Sequence, residues 1–217
     1  MAGNQPLGRL PEGKNCYIGI VMRKLTHEEI ARSRAAIAGQ TGEERFPVAL
    51  LLDNIRSLYN VGSIFRTADA ARVAKLHLCG YTPHPPRREI DKTALGATAT
   101  VPWEHHADPL EAVATLKAGG MRICVLEHTD ESRCYLEVTR KEFPLCLVVG
   151  NEISGVSKEL IAAADMAIEI PMFGMKQSLN AAVACGIALF ELVRILRGGE
   201  PGHGISGYRS LLGSAEG

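Results

Sequence analysis

Aromatic residues are scarce in this chain, and several signatures of large protein classes are absent. Phe, Trp and Tyr make up 5% of the 217 residues. The longest nearly unbroken apolar run, Ala181 to Phe190, is far shorter than the roughly 18 residues of a membrane-spanning helix. The sequence does not open with a basic and then apolar leader that ends in small residues. We therefore expect a globular, cytoplasmic protein that has no membrane partner.

Paired cysteines are also lacking. The chain has six cysteines but no C-x-x-C pair, so neither a zinc knuckle nor a disulfide framework is indicated. His105 and His106 have no further ligand at metal-binding spacing in the sequence. We therefore expect the cysteines to be mostly small buried hydrophobic residues, and we expect no catalytic metal.

An excess of positive charge is missing as well, because 24 Lys and Arg balance 24 Asp and Glu. Bulk charge thus gives no argument for a polyanionic partner, and any nucleic-acid site has to be local. The segment from Pro83 to Lys92 combines prolines with Arg87, Arg88 and Lys92. A stiff basic loop of this kind suits phosphate contacts, but a solvated loop explains the same residues equally well.

From Pro47 onward, short apolar runs alternate with helical patterns, which is typical of an α/β fold with a parallel sheet covered by helices. The predicted strands are Val48 to Asp53, Leu76 to Cys79, Thr100 to Trp103, Arg122 to Leu126, Leu145 to Val149 and Ala167 to Ile170. The predicted helices are Val61 to Val73, Pro109 to Ala118, Ser157 to Ala164 and Leu179 to Arg197.

These elements predict one domain over residues 46–197. We expect residues 1–45 to form a helical extension, in which Thr26 and Glu29 make a capping box for a helix over residues 27–38. Residues 198–217 are rich in Gly and Ser and are expected to form a flexible tail.

The first of three polar clusters lies between Asp53 and Val73. Asn60 is a candidate N-cap for a helix whose apolar face falls at i, i+3, i+4 and i+7 from Val61. At about 100° per residue, Arg66 points away from this face and lies among small residues, which leave room for a large partner. An exposed ion pair with Asp69 explains the same pattern.

The second cluster lies between Leu145 and Leu160, where an apolar strand runs into glycines that flank Glu152. Gly150 and Gly155 permit close approach of the backbone to a ligand and can turn the carboxylate inward. The segment is not a phosphate-binding P-loop, because Val156 occupies the position of its lysine. A tight loop with a solvated carboxylate is the alternative.

The third cluster follows the predicted strand that ends at Ile170. Ser178 is a candidate N-cap for the last helix, with Asn180 just inside, and such a helix start presents unpaired N–H groups to a ligand. The helix itself is built largely of small residues, so other backbone is expected to pass close to it. Capping and packing alone explain this stretch when it is read in isolation.

In this order, the clusters resemble the three motifs of the SpoU (TrmH-like) family of RNA ribose 2′-O-methyltransferases, in the SPOUT superfamily. NVGSIFRTADA is similar to the first motif, LVVGNEISGVS to the second and IPMFGMKQSLNAAVACGIALFE to the third. The resemblance implies an α/β fold with a C-terminal trefoil knot and a homodimer. It also implies S-adenosylmethionine as methyl donor, structured tRNA or rRNA as substrate, and no metal.

The resemblance further implies roles for particular residues. Arg66 and Asn60 match the catalytic arginine and its partner. Glu152 matches the carboxylate of the second motif, and Ser178 and Asn180 match the polar pair of the third. The residues implied to hold S-adenosylmethionine, mainly through backbone, are Leu126, Gly150, Asn151, Ile170, Met172, Ser178 and Leu179.

Methyl transfer to a ribose hydroxyl requires alignment of two substrates and loss of a proton. A guanidinium with a pKa above about 12 is a poor base, so we predict that Arg66 polarises the hydroxyl and a neighbouring phosphate. RNA recognition is left to the basic N-terminal helix, the Pro83 to Lys92 segment and the partner subunit. Two alternatives stay open, a non-catalytic RNA-binding or ribosome-assembly protein of the same fold and a base-methylating SPOUT enzyme.

Overall fold

The computed structural model describes residues 23–33 and 44–198. The strands are β1 (Phe46–Asp53), β2 (Val73–Cys79), β3 (Trp103–His106), β4 (Arg122–Leu126), β5 (Arg133–Cys134), β6 (Leu145–Val149) and β7 (Met166–Glu169). The helices are α1 (residues 27–33), α2 (Leu58–Ala70), α3 (Arg88–Ala94), α4 (Ala97–Thr100), α5 (Pro109–Ala118), α6 (Lys158–Ala163) and α7 (Ala181–Leu196). Among the described residues, no helix combines the length and apolar character needed to cross a membrane.

The strands form a seven-stranded parallel sheet in the order β3-β2-β1-β6-β4-β7-β5. Side chains of a strand alternate between the two faces of the sheet, so β1 contributes side chains to two hydrophobic cores, one on each face. Leu50 packs in the core that includes Phe65 of α2 and Leu189 of α7, whereas Leu51 packs in the core that includes Leu160 of α6. Burial of both faces explains why the central strands are continuously apolar.

The predicted α/β fold with a parallel sheet covered by helices is therefore confirmed, and the limits of β4, β6 and α5 match the prediction. The predicted strand from Thr100 to Trp103 is wrong. Thr100 ends α4, its hydroxyl donates to the Asp69 carboxylate at 2.6 Å, and β3 begins only at Trp103. The sequence reading also missed α4 itself and the two-residue strand β5.

Helix α2 begins three residues earlier than predicted, because Ser57 and not Asn60 is its N-cap. The Ser57 hydroxyl accepts a hydrogen bond from the Asn60 N–H at 3.2 Å, which leaves the Asn60 side chain available for other contacts. The helix also ends earlier, at Ala70, since Arg72 has a positive φ of 51° and Val73 already belongs to β2. The predicted apolar face is confirmed, with all four of its side chains fully buried: Val61, Ile64, Phe65 and Ala68.

The prediction of a loop from Pro83 to Lys92 is wrong in its second half. Residues Arg88–Ala94 form α3, which buries Ile90 and Ala94 and leaves its charged side chains outside. A helix this short, with charges between its two buried positions, gives little periodic signal.

The predicted capping box and the burial of most cysteines are also confirmed, whereas the limits of β1, β2, β7, α6 and α7 differ from the prediction by one to three residues. Glu29 and Thr26 make the reciprocal capping-box bonds, with Thr26 N–H donating to the Glu29 carboxylate at 2.7 Å. Four cysteines are buried, and burial raises the pKa of Cys185 to about 12. Cys16, the predicted helical residues 34–38 and the predicted tail from residue 199 lie outside the described residues.

Gly62 allows α2 to approach α3 closely. A Cβ atom at this position would lie well inside van der Waals contact of the Ile90 carbonyl oxygen and the Thr93 hydroxyl. We therefore expect Gly62→Ala to lower the free energy of unfolding by about 1–3 kcal/mol, because the two helices have to separate. Urea denaturation followed by circular dichroism measures this loss.

The neighbouring Ser63→Ala variant is the matched control, since it adds no atom to the same helix turn. We expect its unfolding free energy to stay within about 0.5 kcal/mol of the unmodified chain. If Gly62→Ala unfolds with the same free energy as the unmodified chain, the α2–α3 packing accommodates the added methyl group and the prediction is wrong.

Candidate functional site

A cavity of about 250 Å³ opens where the carboxyl ends of β4, β6 and β7 meet the start of α7. Carboxyl ends of parallel strands are the usual ligand-binding edge of an α/β sheet. All the residues that the family resemblance assigned to the cofactor line this cavity: Leu126, Gly150, Asn151, Ile170, Met172, Ser178 and Leu179. Their shared location agrees with the prediction, and their role is taken up below as a proposal.

Glu152 follows β6 and joins the second polar cluster to the first. Its carboxylate accepts hydrogen bonds from the Arg56 N–H at 2.9 Å, the Ser57 N–H at 3.0 Å and the Asn60 side-chain amide at 2.8 Å. Partial burial opposes ionisation of Glu152, but these hydrogen bonds outweigh it and hold the pKa of the carboxyl below its ordinary value. Glu152 is therefore an anion fixed at the start of α2, where the helix dipole also favours it.

Asn60 continues this network into the third cluster. Its side-chain oxygen accepts a hydrogen bond from the Asn180 amide at 3.1 Å. Asn180 is also the N-cap of α7, since its side-chain oxygen accepts from the N–H groups of Ala182 and Val183 at 3.0 and 3.3 Å. The prediction that Ser178 caps this helix is wrong, because the helix begins two residues later than expected. Ser178 is instead exposed at the mouth of the cavity.

Asn151 and the two glycines build the turn that presents Glu152. Asn151 and Gly155 exchange backbone hydrogen bonds of 3.0 Å in both directions. The Asn151 amide donates to the Asn54 carbonyl and to the Tyr81 hydroxyl, which lie outside the turn. Its side-chain oxygen accepts from the N–H groups of Ile153 and Ser154 within the turn. The glycines serve this turn, since a Cβ at Gly150 would collide with the backbone of Gly155.

Sequence reasoning missed the acidic residues of the cavity wall. Glu127 follows β4 and Glu169 ends β7, and both line the cavity. The other clusters were recognised as polar residues at the ends of strands, and the same signal could have identified these two. A hydrogen bond from Ser132, and a second from His128, hold the pKa of Glu169 below its ordinary value. Together with Glu152 these carboxylates make the cavity acidic, and no Lys or Arg of the described residues lines it.

Arg66 lies apart from this cavity. Its side chain is exposed, as predicted, but it is not among the lining residues. The alternative ion pair with Asp69 is not formed, because Asp69 accepts a 2.6 Å hydrogen bond from Thr100 instead. Within residues 23–33 and 44–198, the guanidinium has no hydrogen-bond or ion-pair partner.

His106 lies on β3, the edge strand far from the cavity, and the expectation that it has no potential metal-ligand neighbour is wrong. His106 does have partners, because Nδ1 of His77 on β2 lies 2.9 Å from its Nε2, and Glu104 on β3 lies 3.9 Å away. The sequence gave no sign of this arrangement, since the register of neighbouring strands brings residues 29 positions apart together.

We expect Glu152→Gln to reduce stability at neutral pH by about 1 kcal/mol, because an amide cannot accept from all three donors. Ionised Glu152 stabilises the fold at neutral pH, since its folded-state pKa is lowered. This contribution begins to be lost as the pH falls below about 4, near the pKa of a glutamate in the unfolded chain, and it is gone once the pH lies below the lowered pKa of the folded state. The stabilities of the Glu152→Gln variant and the unmodified chain should therefore approach each other in acid. Urea unfolding near pH 7 and near pH 3.5 tests this.

The control is Glu159→Gln on the exposed side of α6, which changes the net charge equally without touching the network. A stability difference for Glu152→Gln that stays constant across this pH range would contradict the assignment of an ionised acceptor.

Comparison with known proteins agrees with this geometry. The model of the SpoU rRNA Methylase family matches residues 47–190. The chain is 34% identical over 147 residues to the tRNA (guanosine(18)-2′-O)-methyltransferase of Escherichia coli K12, an alignment that covers 68% of this chain and 63% of that enzyme. The chain thus spans less than two thirds of the length of this relative.

Solved structures show the same fold. The AdoMet-bound rRNA methyltransferase from Sinorhizobium meliloti matches with a TM-score of 0.64 and 32% identity, over 70% of this chain and 57% of that one. The TrmH/SpoU tRNA modifying enzyme of Aquifex aeolicus matches with a TM-score of 0.66 and 30% identity, over 85% and 93%. The family predicted from the three motifs is confirmed, and the chain belongs to the SpoU rRNA Methylase family.

Proposed function

We propose that this protein is an S-adenosylmethionine-dependent methyltransferase that methylates a ribose 2′-hydroxyl in structured tRNA or rRNA. The observation that carries the proposal is the chain of hydrogen bonds from Glu152 through Asn60 to Asn180. It joins all three motif segments beside one cavity. The names of the E. coli and S. meliloti relatives support the reaction and the two classes of RNA. Residues 46–197 would form the catalytic domain of a cytoplasmic enzyme.

The cavity residues suit this cofactor. S-adenosylmethionine supplies a methyl group on a positively charged sulfonium and also carries an ammonium group. The carboxylates of Glu127, Glu152 and Glu169 complement such a cation, and the backbone around Gly150 and Ile170 offers hydrogen-bonding groups for its polar edges. The cavity borders segments that follow β4, β6 and β7, and we propose that these segments thread the trefoil knot implied by the family.

The remaining polar residues have roles that fit their positions. Glu152 holds Asn60, and Asn60 in turn holds Asn180, so the start of α7 is fixed beside the cavity. Ser178 offers an exposed hydroxyl at the cavity mouth. Arg66 would bind the acceptor ribose and its phosphate, where a planar guanidinium can donate to both oxygens at once.

The absence of Arg66 from the residues that line the cavity favours a site that is completed by a second copy of the chain. Helix α7 exposes an apolar stripe of Val183, Ile187 and Phe190, at i, i+4 and i+7, of which Phe190 is 48% exposed. Such a stripe on a helix that borders the cavity is suited to bury itself against its own copy in a homodimer. We therefore propose that the homodimer forms through α7 and brings Arg66 of one protomer to the cofactor cavity of the other.

Phe190→Glu is expected to convert the dimer to a monomer, because it places a charge in the apolar stripe. Sedimentation equilibrium at micromolar protein measures the change. Leu110→Glu on α5, an equally apolar and 38% exposed position on the other face of the sheet, is the control and should leave the dimer intact. A monomeric unmodified chain, or a dimer that tolerates Phe190→Glu, would exclude this interface.

The reaction is tested with purified protein, labelled S-adenosylmethionine and total RNA from cells that lack the protein. We expect label in RNA, and after alkaline hydrolysis we expect it in a resistant dinucleotide, since a methylated ribose blocks cleavage at the adjacent phosphate. Label in mononucleotides would indicate base methylation. Absence of label together with absence of calorimetric S-adenosylmethionine binding would favour the non-catalytic alternative.

Arg66→Lys is expected to lower kcat roughly a hundredfold, because a lysine cannot offer the planar pair of donors. Steady-state methylation of the identified RNA measures the loss. Arg122→Lys at the start of β4, at the amino end of the sheet, is the control and should retain full turnover. Near-normal turnover of Arg66→Lys would show that position 66 needs only a positive charge.

A further inference from the structure

Three potential metal ligands converge on one face of the sheet, far from the residues of the cofactor cavity. His77 lies on β2, and Glu104 and His106 lie on the edge strand β3. The strand register pairs His77 with Glu104 and Cys79 with His106. Because residues two apart on a strand share a face, all three side chains point to the same side. Their nearest ligand atoms all lie within 4.8 Å of one another.

The distances are close to those of a zinc site. Two ligand atoms at about 2.0–2.1 Å from a tetrahedral zinc ion are separated by about 3.3 Å. Here Nδ1 of His77 and Nε2 of His106 are 2.9 Å apart, and Oε2 of Glu104 is 3.9 Å from the same His106 nitrogen. Relative to that spacing, the two histidine nitrogens are about 0.4 Å too close, and the Glu104 oxygen is about 0.6 Å too far from His106. Since all three atoms lie within 4.8 Å of one another, rotation of the half-exposed Glu104 side chain can complete the site.

The surroundings of the three side chains favour a fixed site with one open side. His77 is only 6% exposed, and its ring lies against that of His106 with centroids 5.1 Å apart, which restricts both rings. Glu104 has a half-exposed side chain, so an ion has a path from solvent. Imidazole and carboxylate are ligands that zinc accepts, and three protein ligands leave a fourth position for water.

Lys75 is the group that competes with an ion at this place. Its ammonium lies 2.5 Å from Oε2 of Glu104 on the same face of the sheet. A divalent cation would have to displace this ammonium, and it would be repelled by a positive charge that stays nearby. The structure thus predicts that Lys75 weakens metal binding while His77, Glu104 and His106 provide it.

We propose that His77, Glu104 and His106 bind one Zn²⁺ ion that cross-links β2 to the edge strand β3. The ion takes no part in the proposed methyl transfer, because the cavity lies at the carboxyl ends of β6, β4 and β7, and β1 separates these strands from β2 and β3. Its effect is on stability, because an ion bound only by the folded chain stabilises that chain by an amount that grows with the logarithm of the ion concentration relative to Kd, which raises the melting temperature.

The test uses the full chain, freed of metal by dialysis against a chelator, and zinc chloride as the titrant in calorimetry. We expect one Zn²⁺ per chain and a melting temperature that rises with zinc. Cobalt(II) provides an independent readout, since it gives visible absorption bands when bound to this ligand set. His106→Gln and Glu104→Gln alter only partly exposed side chains and should each weaken binding at least tenfold.

Two further variants make the test specific. Lys75→Met is expected to strengthen zinc binding several-fold, a gain that a general loss of structure cannot produce. His105→Gln changes the neighbouring histidine, whose Nε2 instead contacts the Gly80 carbonyl, and should bind zinc like the unmodified chain. Failure of the unmodified chain to bind zinc, or equal binding by His106→Gln, would overturn the proposal. Neither result bears on methyl transfer, which is measured separately.

Discussion

The parallel direction of all the strands is the constraint on which this molecule depends. It brings the carboxyl ends of β4, β6 and β7 to one edge of the sheet, so that segments distant in sequence become neighbours. It also requires a crossover between each pair of strands, and the helices of these crossovers cover both faces. The cavity and the hydrogen-bond network around Glu152 are consequences of this arrangement.

Charge is distributed unevenly over the fold although the chain as a whole is neutral. The cavity is lined by carboxylates, of which Glu152 is held ionised by donors from the start of α2. Basic side chains such as Arg66, Arg87 and Arg88 lie on exposed surface outside it. An acidic cavity suits a cationic cofactor and exposed arginines suit a polyanion, so one neutral chain can serve two partners of opposite charge.

The sequence was sufficient for the parallel α/β sheet and for a set of predicted cofactor residues that share one cavity, but not for their local geometry. Apolar runs located β4 and β6 because strands buried on both faces have no polar interruption. The N-caps were misplaced because Ser57 and Asn60, like Ser178 and Asn180, are equally good capping residues. The structure decides between them through a long-range contact, since the Asn180 amide bonds to Asn60, 120 positions away.

The turn from Asn151 to Gly155 has a kinetic consequence. Two reciprocal backbone hydrogen bonds and an Asn151 side chain with all its polar atoms bonded order the backbone of this wall of the cavity. A wall that is already ordered loses no conformational entropy when a ligand arrives, so affinity is not reduced by the cost of ordering it. The rate of ligand entry would then be set by diffusion and by any movement of residues 171–179 on the facing side, and not by folding of the wall that carries Glu152.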